Sequence, residues 1–246
     1  MQTMTEKPKT ALITGAGRRL GRHLALAFGN RGYRVLIHAN DSMDSANDVQ
    51  KEIESGGGWA AVLQADLSKH DEVLALAKQV NETAGKLDLL INNAGVFPER
   101  PFDEVDEELW DFTLDVNAKS VFFLSQQLAG MLTSAKGSII NMASSGAYDV
   151  WLKHIPYNIS KAANVVVTRA LAKQLAPDVR VNAIAPGIIV VPGEESGYSH
   201  PSAERFALKR YGTPEDIVKA AIYLAEDASY LTGHILPVDG GAIELS

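Results

Sequence analysis

In "KTALITGAGRRLG", Lys9–Gly21, a short apolar run gives way to a glycine turn and then to a helical pattern. "TALIT" (10–14) reads as a buried strand. Gly15, Gly17 and Gly21 follow it, but Leu20 stands where the last glycine of G-x-G-x-x-G would fall. Strand, tight turn and helix start still make an anion cradle, because backbone N–H groups and the helix dipole converge there. Two adjacent arginines, Arg18 and Arg19, sit at its mouth. Positive charge at a helix N-terminus is unfavourable unless an anion is close by, so the pair predicts one.

The same alternation continues outward. Further strands are expected at "RVLIH" (34–38), "AAVLQA" (60–65), "LDLLIN" (87–92), "SIINMA" (138–143), "VRVNAIA" (179–185) and "HILPV" (234–238). Most are continuous apolar runs, as parallel strands covered on both faces require. Helical stretches lie between them: "LGRHLALAFGNRG" ending at Gly32, "DEVLALAKQVNETAG" ending at Gly85, and "PEDIVKAAIYLAED", which opens on proline and two acids. Repeated β–α units predict an α/β fold, a doubly wound parallel sheet of about seven strands with helices on both faces. The pattern spans 1–246 as a single domain. Only "GIIVVPGEESGYSHPSAERF", Gly187–Phe206, breaks the rhythm, with Gly, Pro, Ser and Glu punctuation. Ligands bind beyond the carboxyl ends of parallel strands, so 187–206 is expected to be a substrate lid containing one short helix.

Composition narrows the function. The 246 residues carry a net charge of -7, which argues against nucleic acid as a partner. There is no cysteine, which removes disulfides, thiolate metal sites and cysteine nucleophiles. The six histidines are scattered without metal-ligand spacing, so no metal is expected. No signal-peptide core or membrane-length apolar run is present, so no membrane partner is expected and a soluble, cytoplasmic protein is the default expectation.

Short motifs follow the strands in order: "ADL" (65–67), "NNAG" (92–95), Asn117 within a helical stretch, "MASS" after the fifth strand, "YNISK" with Tyr157 and Lys161, "IAPG" (184–187) and "VDGG" (238–241). Together with the glycine turn they resemble the short-chain dehydrogenase/reductase family over essentially the whole chain. The resemblance implies a Rossmann-type domain that binds NAD(P) and transfers hydride. Tyr157 and Lys161 are i and i+4, one helical turn apart, so the lysine supplies a cation able to lower the tyrosine pKa from ~10. Tyr157 is expected to act as acid/base and Lys161 to hold the nicotinamide ribose. Ser144, thirteen residues before Tyr157, is expected to hydrogen-bond the substrate oxygen; Ser145 would be one short of the family's spacing. Asn117 is expected to hold a water in a proton relay from Lys161.

The resemblance further implies a cofactor surface made by Gly15, Gly17, Arg18, Arg19, Leu20 and Gly21, by His38 and Asn40 after the second strand, and by Asp66 and Leu67. Asn93, Ala94, Gly95, Tyr157, Lys161, Pro186, Gly187 and Ile189 complete it. Arg18 takes the position that meets the 2′-phosphate of NADP, and neither His38 nor Ala39 is the acid that NAD-preferring members use. NADP(H) is therefore favoured over NAD(H), with Asp41 as the opposing charge. Arg19 replaces a glycine of T-G-x-x-x-G-x-G, and T-G-x-x-x-R-x-G resembles the pteridine reductase branch. Substrate contacts are expected from Arg19, Phe97, Ser144 and Tyr157, with Phe97 stacking on a flat ring. Ser144 stands where that branch carries aspartate, and a serine suits a carbonyl oxygen. The expected activity is NADPH-dependent reduction of a ketone or 3-oxoacyl-type carbonyl. Dihydropterin C=N reduction and a non-catalytic NADP(H) sensor are the alternatives. His154 is read as a solvated loop histidine rather than pocket lining, and Trp151 as packing. Homotetramers or homodimers are implied through the helices near Asn117 and Tyr157.

Overall fold

A computed structural model describes residues 8–193 and 201–242. Its strands are β1 (Thr10–Ile13), β2 (Arg34–Ala39), β3 (Trp59–Gln64), β4 (Leu89–Asn92), β5 (Ser138–Met142), β6 (Arg180–Pro186) and β7 (Ile235–Val238). All pair in parallel in one sheet of order β3-β2-β1-β4-β5-β6-β7. Strand β1 pairs with β2 on one side (Thr10 with Arg34) and β4 on the other (Ala11 with Leu89). The chain order reverses there, which puts a crevice at the carboxyl ends of β1 and β4.

Helices α1 (Arg19–Asn30), α2 (Met43–Ser55), α3 (His70–Ala84), α4 (Glu107–Leu114), α5 (Ser120–Ala135), α6 (Ile155–Leu175) and α7 (Pro214–Ile222) connect the strands. The period-2 alternation of the strands divides the core. Ile13, Val35, Ile37 and Ile91 pack with Leu24, Phe28, Val49 and Ile217 of α1, α2 and α7. Leu12, Leu36 and Leu90 point the other way, onto Leu76, Leu124 and Leu171 of α3, α5 and α6. Each fully buried Leu, Ile or Phe stabilises the sheet by about 1.5–3 kcal/mol, which is why neither face is left to solvent.

The helix ends follow local chemistry. Gly85 closes α3 in the left-handed region at φ 65°. Thr213 and Asp216 form a capping box at the start of α7, with Pro214 in its first turn. The pattern expected to run to Asp227 is α-helical only to Ile222 and continues as a π turn, Tyr223–Asp227. A second π turn, Asp115–Lys119, joins α4 to α5 and carries Asn117. Within the expected lid, Ile188 and Val190 bond across to Gly212, and Ala203–Arg205 forms the short helical turn. The lid's residues 194–200 lie outside the described residues.

Candidate active site

The glycine turn is held in place from three sides. Thr14 Oγ1 accepts the backbone N–H groups of Asn93 and Ala94, both at 2.9 Å. Asn93 Nδ2 donates back to the carbonyls of Thr14 (2.8 Å) and Gly15 (3.2 Å). A side chain at Gly21 would collide with the Gly15 carbonyl and with Asn93, so the turn closes only on glycine there. Gly15 has φ 61°, and a Cβ on it would stand 2.9 Å from Ala94 Cα. Helix α1 then begins with no side-chain cap and no acid in its first turn. Arg18 and Arg19 are exposed beside this uncompensated dipole. A bare helix N-terminus flanked by two cations fits an anionic group.

Arg19 has φ 49°, the left-handed region. This explains why glycine is expected at the position: a non-glycine residue there costs about 1–2 kcal/mol. At the end of β2, Asn40 and Asp41 are exposed. His38 is not: it is 2% exposed, and its imidazole is spent within the fold. Gly15 N–H donates to His38 Nδ1 at 3.1 Å, which requires the neutral tautomer in which Nε2–H donates to the Ala65 carbonyl at 3.0 Å. Burial pushes the ring down to about 4. The His38 side chain thus braces the turn from beneath.

Two neighbouring residues of the expected cofactor surface also have partners within the fold. Leu67 turns its side chain into the core at 7% exposure, because it follows a strand end that packs on α3. Asp66 Oδ1 accepts Ser68 N–H (3.0 Å) and Ser68 Oγ–H (2.7 Å), the local turn of a short acid leading into a helix. Pro186 closes β6, and Gly187 lies so near Asp239 that a Cβ would stand 2.8 Å from its Cα. Ile189 bridges to Gly212 and packs on the core beneath α7.

Beyond β5, Ser144 Oγ accepts Gly146 N–H at 3.0 Å and hydrogen-bonds Tyr157. Tyr157 and Lys161 share one face of α6, and Lys161 Nζ donates to the Met142 carbonyl at 2.7 Å. The ammonium is 5.7 Å from the Tyr157 ring centroid. The expected lowering of the tyrosine by this cation is not found. Burial pushes the phenol up to about 12, with the Ser144 hydrogen bond pulling the other way, and pushes Lys161 down to about 8. Burial wins because both charged forms lose water while Lys161 is turned to a carbonyl. Tyr157 therefore holds its proton at neutral pH.

Asn117 is fully buried in its π turn. Its Oδ1 accepts Val96 N–H (2.8 Å), and its Nδ2 donates to the Val96 carbonyl (2.9 Å) and Ser160 Oγ (3.0 Å). The side chain latches the loop after β4, and the Asn117 backbone carbonyl accepts Asn164 Nδ2 at 2.8 Å. Gly95 lies between this latch and Lys161: its Cβ would be 3.2 Å from Asn117 Oδ1 and 3.5 Å from Nζ.

Phe97 joins an aromatic group that sequence reasoning underrated. His154 stacks on it (centroids 4.0 Å, planes 10° apart), while Tyr157 and Trp151 meet it edge-on at 4.6 and 5.9 Å. His154 Nδ1 also bonds the Pro98 carbonyl at 2.8 Å, so the expected solvated histidine is part of the wall. The polar residues 157, 160, 161, 164 and 168 fall on one helical stripe of α6. That spacing was the available signal for Ser160 and Asn164, both buried.

Residues 15–242 match the family model described as enoyl-(acyl carrier protein) reductase. The chain is 35% identical over 239 residues to the 3-oxoacyl-(acyl-carrier-protein) reductase FabG of Staphylococcus epidermidis, covering 95% of this chain and 98% of the relative. A Sinorhizobium meliloti structure described as a short-chain alcohol dehydrogenase matches with TM-score 0.89 and 34% identity over 95% of this chain and 96% of that one. The angucycline C-6 ketoreductase LanV, solved with bound NADP, matches with TM-score 0.85 and 30% identity over 96% and 95%. By sequence and by fold, the chain belongs to the short-chain dehydrogenase/reductase family of oxidoreductases.

Proposed function

We propose that the protein is an NADPH-dependent reductase of a carbonyl substrate, with Tyr157 as the proton donor. The observation that carries this reading is geometric: the Tyr157 phenol lies beside Ser144 and shares a face of α6 with Lys161, whose ammonium is 5.7 Å from the ring centroid. When bound, the reduced nicotinamide supplies hydride to the carbonyl carbon. Ser144 orients the carbonyl oxygen, and Tyr157 gives its proton to that oxygen as negative charge develops. Lys161 stands one turn away to stabilise the phenolate left behind. Asn117, through its backbone carbonyl, belongs to the path that returns the proton.

The bare α1 terminus and Arg19 suit the pyrophosphate, and Arg18 suits the 2′-phosphate. The LanV complex with NADP supports the same preference, against which Asp41 stands as an opposing charge. Gly15, Gly17, Leu20, Gly21, Asn40, Asp66, Asn93, Ala94, Gly95, Pro186, Gly187 and Ile189 border the same crevice. The described parts of the lid, 187–193 and 201–206, follow β6 within the single domain. Arg19 and Phe97 favour dihydropterin reduction as the second reading; the serine at 144 ranks it below a carbonyl.

The test supplies NADPH with a ketone panel, a 3-oxoacyl thioester and dihydrobiopterin, and follows nicotinamide absorbance. Carbonyl turnover that Tyr157→Phe lowers by about 10²–10⁴-fold, with NADPH binding retained, supports the proposal. Turnover of the pterin alone reverses the ranking. No hydride transfer to any of them favours the sensor.

A further inference from the structure

The loops after β4 and β5 are joined into one rigid wall beside Tyr157. His154 Nδ1–H donates to the Pro98 carbonyl and Arg100 N–H to the Lys153 carbonyl, both at 2.8 Å. Lys153 pairs with Glu99 at 2.9 Å. Within this frame the rings interlock: the Phe97–His154 planes are parallel, the Trp151–Tyr157 planes are parallel at 6.2 Å, and the two pairs cross at 80–90°. Such a wall is preorganised, and it recognises flat apolar surface at little entropic cost.

The chain leaving this wall is acidic. Between Glu99 and Glu108 there are six acids and one arginine. Asp106 caps α4, and Glu107 and Glu108 complement its first turn, but Asp103 and Glu104 simply stand exposed on the turn before it. On the segment after β6, Lys209 and Arg210 pair with Glu204 and Asp216, and Arg205 adds one positive charge. The Glu99–Lys153 pair and the Arg100–Lys153 hydrogen bond tie the start of this acidic segment to the wall, so a phosphopantetheine phosphate brought up to the wall meets its field.

We propose, resting on the carbonyl reductase reading above, that the substrate is a free, unphosphorylated ketone borne on a flat ring, and not a carrier-bound 3-oxoacyl thioester. The ketone becomes a secondary alcohol: its carbon gains hydride from reduced nicotinamide and its oxygen gains the Tyr157 proton. Aromatic contact with the Phe97–Trp151 wall fixes the ring, and the acidic rim disfavours the thioester.

The experiment compares 1-tetralone with acetoacetyl-coenzyme A under NADPH at low ionic strength. The expected result is kcat/KM at least about tenfold higher for the ring ketone. Phe97→Leu, which removes the ring and keeps apolar bulk, narrows that ratio by about 3–10-fold. Asp103→Lys with Glu104→Lys raises turnover of the thioester, and added salt erases the gain. If the wild-type protein takes the thioester as well as or better than 1-tetralone, this inference is overturned and the reductase reading stands. If it reduces neither but turns over another ketone of the panel, this inference is overturned and the reductase reading stands; if no carbonyl compound is reduced, the reductase reading falls as well. The wild-type ratio decides even if a variant does not fold.

Discussion

At Lys161 an ammonium group, 5% exposed, gives one hydrogen bond to the Met142 carbonyl and is otherwise enclosed by protein. Burial lowers it from 10.5 to about 8, which amounts to a destabilisation of up to about 3 kcal/mol at neutral pH. The folded value lies below the unfolded one. The handicap is therefore full below about pH 8 and fades as pH rises toward 10.5, where the amine is neutral in both states. Lys161→Met should abolish turnover and yet be more stable than wild type at pH 7, by about 1–2 kcal/mol once the unpaired carbonyl is counted. Denaturation at several pH values checks it, and the gap should close between pH 8 and 10.5. A wild type more stable than the variant at pH 7 would contradict the burial argument. Arg18 makes a second prediction at this scale. Arg18→Ala should lower kcat/KM for NADPH by about tenfold or more, because a charge-assisted contact is lost, and leave NADH within about twofold. Equal losses with both cofactors would remove Arg18 from the 2′-phosphate. Arg19 differs, since its side chain sits on a left-handed backbone. Arg19→Gly should raise stability by about 1 kcal/mol and weaken NADPH binding, measurable by melting with and without cofactor.

The β–α units were legible because their signals are local: apolar runs, Gly85 as a left-handed stop, Pro214 with its acids as a start. That Tyr157, Lys161 and Ser144 lie near one another was legible, because helical spacing sets the first two on one face of α6 and Ser144 follows the end of β5. What escaped depends on which way a side chain turns after the chain folds. His38 ends a strand where a ligand contact is expected, but the β1–β2–β3 pairing buries its ring between Gly15 and Ala65. The wall of Phe97, Trp151 and His154 comes from two loops more than 50 residues apart in sequence, so no periodicity could announce it. His38 gives the prediction at the element scale. Its folded value, about 4, is below the unfolded value of 6.5, so its contribution is present above pH 6.5 and is lost as pH falls toward 4. Protonation also removes the acceptor for Gly15 N–H. His38→Leu leaves that donor unpaired and should be less stable than wild type at pH 7 by about 1–3 kcal/mol. The difference should shrink between pH 6.5 and 4, followed by denaturant unfolding; a gap that stays constant would mean the ring does not brace the turn.

For the whole molecule, sequence could not separate helix faces buried inside the chain from faces buried against another copy. "SVFFLSQQLAGML" and "NVVVTRALAKQLA" suit either. The fold shows which of these faces the chain buries within itself. Leu124, Leu128 and Leu171 turn inward to the sheet. Trp110 and Phe112 on α4 and Ile159 and Val166 on the adjacent α6 remain 38%, 43%, 40% and 66% exposed. Apolar side chains gathered on two neighbouring helices are the start of a contact surface, and a stable interface needs about 800 Å² from each partner. The expected assembly is therefore a homodimer or homotetramer through this face. Sedimentation at micromolar concentration should show a species larger than a monomer, and Val166→Glu should shift it to monomer while the circular dichroism of the helices is kept. The substitution places a charge where a partner would have to desolvate it, a penalty of several kcal/mol in a closed interface and almost none on an open surface. A wild type that sediments as a monomer, or a Val166→Glu variant that assembles unchanged, would move the contact away from α4 and α6.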